Sequence, residues 1–143
     1  AVIESIALHL RQHEGFALLI DYGHAVSGFG DTLQAVRKHQ PVGIFDHPGE
    51  VDLTTHVDFQ SLARCAQANG IHASSVIEQE GFLIGTGIRQ RAARLQAGSP
   101  PEKAAHINTA LERLIGGDKM GSLFKVLALS SQKVDIYPLK FWH

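Results

Sequence analysis

The chain has one cysteine, Cys65, in 143 residues, which excludes an internal disulfide. It has no uninterrupted apolar run of about 18 residues and no signal-peptide core. Those absences favour a soluble protein in a reducing compartment, the cytoplasm or an organelle matrix. It also lacks a charge of one sign: 13 basic and 14 acidic residues are spread along it, with a formal net charge of -1. No field gathers nucleic acid or an anionic membrane, so a small polar ligand or a protein is the expected partner. Arg89, Arg91 and Arg94 form only a small basic face without interleaved aromatics. No Ser-centred nucleophile elbow occurs, and Cys65 sits mid-helix beside Arg64, which argues against nucleophilic catalysis. A dinucleotide fingerprint is missing as well. Gly28-Phe29-Gly30-Asp31-Thr32-Leu33 has no third glycine and lies too far from a strand, while Gly85-Thr86-Gly87 falls inside a helical pattern, where close packing explains small residues. His9 and His13 have the i, i+4 spacing of a metalloprotease helix, but position 10 is Leu rather than Glu, and two solvated histidines are the simpler reading.

What is present is the patterning of an α/β domain, long enough to bury roughly 70% of its unfolded surface. Val2, Ile3, Ile6 and Leu10 predict a helix over 2–14, closed by Gly15. Phe16 to Ile20 is a short apolar run bounded by glycines, expected to be a central parallel strand buried on both faces. A long glycine-rich connection from His24 to Gly49 follows, with a short helix expected over Thr32–Lys38. Thr55 and Asp58 have capping-box spacing ahead of an amphipathic helix over 56–69. Ile71–Ile77 reads as a strand, and Gln79–Leu95 as a helix loosened by three glycines. Ser99-Pro100-Pro101-Glu102 opens a helix that runs to Gly116-Gly117, with Ser99 as the cap. Leu123–Leu129 is a buried strand, and Tyr137-Pro138 an extended tail. Ala1 falls directly in a helical pattern, as in an excised piece of a longer protein, though terminal trimming explains it more plainly.

Chemistry in open α/β sheets gathers beyond the carboxyl ends of strands. The run ending on Asp21, Tyr22 and Gly23 therefore marks the candidate site, joined by Asp52, Thr54 and His56 from the segment that follows the long connection. A carboxylate ending an apolar strand must reach water, a backbone donor or a ligand. Capping accounts equally for Thr55 and Asp58, and an Asx turn for Asp52. His47, Asp52, His56 and Asp58 form a further cluster that converges only if the loop folds back.

Leu19-Ile20-Asp21-Tyr22-Gly23, Gly28 to Ala35, Pro48-Gly49, Asp52-Leu53-Thr54-Thr55-His56-Val57-Asp58-Phe59 and Met120 to Leu127 resemble, in order and spacing, the C-terminal half of the MidA-type S-adenosylmethionine-dependent methyltransferases. That family includes a mitochondrial complex I assembly arginine methyltransferase. Glu78-Gln79-Glu80-Gly81-Phe82-Leu83 departs from its usual Thr-Gln-Gly-Glu-Phe-Leu pattern. The resemblance implies a partial class I, Rossmann-like sheet spanning 1–143. Phe16–Ile20 would be its fifth strand and Ile71–Ile77 its sixth, with Leu123–Leu129 the seventh, antiparallel between them. It implies S-adenosylmethionine as cofactor of the intact protein, held by an N-terminal half these residues do not include, so that the chain alone binds none and is inactive. It implies a protein substrate, plausibly methylated on arginine, in the bacterial cytoplasm or mitochondrial matrix. On that basis Asp21 and Asp52 anchor a guanidinium, Tyr22 and Thr54 line the cleft, and His56 accepts a proton, with His56 and Asp52 assigned to catalysis. The edge of Phe16–Ile20 would be left open to the N-terminal half or to a second copy. The competing readings are a non-catalytic protein-binding module and a small metal-dependent hydrolase using the histidines.

Overall fold

A computed structural model describes residues 2–38, 40–134 and 136–141. Helix α1 (Val2–His13) buries Ile3, Ala7 and Leu10 on one face. Glu14 and Gly15, both at positive φ, then turn the chain into strand β1 (Phe16–His24). This strand is longer than its apolar run. It continues through Asp21 and Tyr22, so the expected strand-end signature lies inside the strand.

A small antiparallel sheet of β2 (Gln34–Arg37), β3 (Gln40–Val42) and β4 (Asp52–Thr54) fills the long connection, in the order β3-β2-β4. The helix expected over Thr32–Lys38 is therefore absent. A seven-residue helix is too short to sustain itself, and pairing on both edges of β2 decides the conformation. Next come β5 (Val57–Asp58) and α2 (Phe59–Ala68). The expected start of this helix at 56 is corrected by the same logic. Parallel pairing of Val57 and Asp58 with Gly23 and His24 keeps the backbone extended through Asp58, which becomes the N-cap in place of Thr55.

The region expected as one strand over Ile71–Ile77 is two short ones, β6 (His72–Ala73) and β7 (Ile77–Glu78). Between Ala73 and Ile77 the chain advances four residues while the partner strand advances three, from Leu129 to Val126, which defines a bulge. Ser74 replaces the lost ladder bond: its Oγ accepts from the Ala128 amide at 3.0 Å and donates to the Ser75 carbonyl.

Gly87, at φ +90, splits the expected helix over Gln79–Leu95 into α3 (Gln79–Gly85) and α4 (Ile88–Gln96). A Cβ on Gly85 would meet Pro138 at 2.7 Å, so close packing does explain that glycine. Helix α5 (Pro101–Ile115) has Pro100 at its cap position, whereas the Ser99 hydroxyl donates backward to the Leu95 carbonyl. Ser99 is thus not the cap. Helix α6 (Met120–Leu123) leads into β8 (Phe124–Ser130). The expected extended tail instead reverses at Ile136–Leu139, around a cis Tyr137–Pro138 peptide.

The main sheet has the order β5-β1-β8-β6, with β7 also on β8. Strand β8 runs antiparallel to β1, β6 and β7, and so lies between segments that are parallel to one another. One face of the sheet, carrying Ala17, Leu19, Leu127 and Leu129, closes against Ile3, Ala7 and Leu10 of α1 and Phe59 and Ala66 of α2. On the other face Val126 and Ala128 are covered by Phe82, Leu139 and Phe141. That cover thins at β1: the Phe141 ring meets that of Phe16 edge-on, centroids 6.4 Å apart, yet Phe16, Leu18 and Ile20 remain 50%, 48% and 43% exposed. The expectation of burial on both faces therefore fails for β1. The edge of β1 away from β8 is open as well, since β5 pairs only with Gly23 and His24 and the described residues supply no strand on that edge of Phe16–Tyr22.

Candidate functional site

Strand alternation sorts the candidate residues. Tyr22 and His24 share the more open face of β1, while Asp21 points to the opposite one. Tyr22 sits directly across from Phe124 of β8, and their rings meet edge to face with centroids 5.7 Å apart. On its other side Tyr22 meets the ring of His56 at 5.9 Å, and His56 lies 4.9 Å from His24. Four rings thus run in series along the carboxyl end of β1.

His56 is brought there by parallel pairing of β5, which it precedes, and by its amide, which donates to Thr32 Oγ1 at 3.4 Å. The close approach of β5 requires Gly23, because a Cβ there would fall 2.1 Å from the Val57 carbonyl oxygen. Asp58 has a supporting task. Its carboxylate accepts from the Ser61 amide (2.9 Å) and hydroxyl (2.8 Å), and from the Ser27 hydroxyl (2.9 Å). The Ser61 amide is the main reason the Asp58 carboxyl titrates below its ordinary value, with burial acting in the opposite direction. Together with the Ser27 amide on Gln60, these bonds clamp the loop after β1 to the start of α2.

Asp21 does not join the ring series. Its Oδ1 accepts from the Tyr22 amide at 2.8 Å, and across the strand it faces Lys125. Asp52 and Thr54 lie on β4, opposite Val36 and Gln34, and reach the site through the chain, which arrives at His56 two residues after Thr54. The structure therefore unites Tyr22 with His56, sets Asp21 on the other face and leaves Asp52 and Thr54 on the neighbouring small sheet. His24 and Phe124 are members that the sequence reading missed. The two-residue step from Tyr22 to His24 carries the signal, but only once the strand is known to run through Gly23.

An open groove of about 540 Å³ lies elsewhere, between α2 and the Ser74–Val76 turn, and is lined by none of the candidate residues. Among the described residues no group of three or more His, Cys, Asp or Glu side chains is placed to hold a metal ion. His9 and His13 meet ring to ring at 4.6 Å on α1. No helix of the described residues is long and apolar enough to cross a membrane.

Comparison with known proteins gives the family. Residues 1–77 match the family described as "Putative S-adenosyl-L-methionine-dependent methyltransferase". The chain belongs to that family. Curated relatives agree: the mitochondrial "Protein arginine methyltransferase NDUFAF7 homolog" of Drosophila melanogaster is 32% identical over 142 residues, covering 94% of this chain and 32% of the relative. The mitochondrial "Protein arginine methyltransferase NDUFAF7" of Homo sapiens is 31% identical, covering 90% and 29%. A solved structure from Burkholderia thailandensis, described as a "COG1565 superfamily member and likely methyl transferase" bound to S-adenosyl-homocysteine, superposes with a TM-score of 0.72 at 28% identity. It is matched over 91% of this chain and 35% of its own. The chain thus spans about a third of the length of the relatives it matches.

The family implies S-adenosylmethionine, and neither Gly23 nor Gly28 nor Gly30 forms a cradle for it. Gly28 and Gly30 have open space where a Cβ would stand, and the smallness of Gly23 is used up by the approach of β5. What the site does offer is a cluster of aromatic and imidazole rings at a sheet end.

Proposed function

We propose that the chain supplies the acceptor-side wall of an S-adenosylmethionine-dependent methyltransferase acting on a protein side chain, with arginine the acceptor its residues suit. The observation that carries this reading is the Tyr22–His56–His24 series at the carboxyl end of β1, in a member of a methyltransferase family whose curated relatives are named arginine methyltransferases. In this reading β1 is the fifth strand of a class I sheet, β6 and β7 together the sixth, and β8 the seventh. The cofactor is held by other residues of a protein of the relatives' length. The open edge of β1, with Phe16, Leu18 and Ile20 beside it, receives that remainder or a second copy.

The chemistry asked of these residues is positioning and proton removal. A guanidinium accepts a methyl group only when one nitrogen presents its electron pair, and that nitrogen must also lose a proton. Asp52, on β4, provides a carboxylate for the guanidinium, while Asp21, on the opposite face of β1 from His56, is placed for another cationic side chain of the protein substrate rather than for the acceptor itself. Tyr22 and Thr54 line the cleft, and a His56 imidazole takes the proton, its ring held between Tyr22 and His24. The setting is a bacterial cytoplasm or the mitochondrial matrix, the latter favoured by the mitochondrial names of the curated relatives.

Methyl transfer to an arginine-containing protein, followed in a full-length protein that carries this chain, tests the assignment. His56→Gln is expected to lower kcat by about a hundredfold with KM little changed, as for loss of a general base. Asp52→Asn is expected to raise KM. Undiminished methylation by both variants, each folded as the parent, removes these roles.

A further inference from the structure

The residues on the face opposite the ring series form a row of charges, of which the reading above uses only Asp21. Asp21 of β1 pairs directly with Lys125 of β8, and Lys125 pairs directly with Glu78 of β7, so the three side chains lie side by side on one face. The order across the sheet is acid, base, acid. Adjacent strands are only about 4.8 Å apart, so a lysine in the middle has the reach to serve either neighbour. It has chosen one. Lys125 Nζ lies 3.6 Å from Glu78 Oε1 and also donates to the Ser122 carbonyl, which holds the ammonium, 13% exposed, on the β7 side. Asp21 meanwhile turns one oxygen to its own neighbour, the Tyr22 amide.

We propose that Glu78 is a positioning residue: by drawing the Lys125 ammonium to the β7 side of β8, it leaves the Asp21 carboxylate un-neutralised for a cationic side chain. With Glu78 present, the row carries two acids and one base, and a net negative charge faces the end of the sheet. Without it, Lys125 and Asp21 neutralise one another. The inference rests on the reading of Asp21 as a cation-binding residue, but the position of Lys125 can be tested apart from that reading.

Glu78→Gln is a mild change, because Glu78 is 53% exposed and makes no side-chain cap on α3. In a crystal structure of the Glu78→Gln chain, Lys125 Nζ is expected within 4 Å of an Asp21 carboxylate oxygen, by the usual ion-pair criterion of about that distance. An ammonium that stays on the β7 side overturns the proposal. Binding of Nα-acetyl-arginine amide, followed by NMR at the Tyr22 amide, is expected to weaken roughly fivefold in Glu78→Gln. A Lys125→Met background should abolish that difference, since Glu78 then has no ammonium to hold. A Glu78→Gln effect of equal size in both backgrounds contradicts action through Lys125. If the parent chain fails to bind the probe at all, the role of Asp21 falls, while the crystal structure still decides where Glu78 holds the ammonium.

Discussion

The two faces of the β1–β8 ribbon are built from residues of similar hydrophobicity, yet they are finished differently. On one, Leu19, Leu127 and Leu129 meet α1 and α2 in a closed core. On the other, Val126 and Ala128 are sealed under Phe82, Leu139 and Phe141, but Phe16, Leu18 and Ile20 one strand away are about half exposed. The contrast separates two uses of apolar surface. The closed face stabilises the chain as it stands, whereas the open stripe lies beside a strand edge that no strand of the described residues pairs. The candidate chemistry divides along the same line, with Tyr22, His24 and His56 on the open face and Asp21 with Lys125 on the closed one.

The largest expected effect comes from truncating the same side chain on each face. Leu127→Ala removes a fully buried side chain and should destabilise the chain by about 3 kcal/mol in urea unfolding. Leu18→Ala, at 48% exposure, should cost about 1 kcal/mol or less by the area it buries. Equal losses would mean that something covers the open stripe in solution, and their concentration dependence would then report a second copy.

A smaller effect is expected where the loop after β1 is clamped. Asp58→Ala should cost roughly 1 kcal/mol as a lost helix cap. Because the folded carboxyl titrates below its ordinary value of 3.8, its contribution is complete above that pH and is lost as pH falls through the lower, folded value. The parent and the variant should therefore converge in stability as the pH falls below the folded value and separate as it rises above 3.8. A difference independent of pH would place the effect of Asp58 in packing rather than in its charge.

The legible parts of the sequence were those that local pattern determines. The spacing of Val2, Ile3, Ile6 and Leu10 marks α1, and the apolar runs from Phe16 and Leu123 mark the two central strands, because burial imposes its period on the chain. What escaped depends on partners distant in sequence. Gln34–Arg37 is a strand because β3 and β4 flank it, and Asp58 rather than Thr55 caps α2 because Gly23 and His24 hold residues 57 and 58 extended. The same pairing hid His24, since the strand's apolar residues end at Ile20 while its hydrogen bonds continue to His24. Tyr22 and His56 were recognisable as candidates, but the separation of Asp21 from them follows from strand alternation that only the full length of β1 reveals. The departure at Glu78 likewise acquires a physical meaning only through its cross-strand position beside Lys125.

The central claim is a division of labour, in which these 143 residues shape the acceptor side and the cofactor is held by others. Isothermal titration of S-adenosylmethionine into the 143-residue chain tests it most directly. No saturable heat is predicted, and a micromolar dissociation constant would contradict the account.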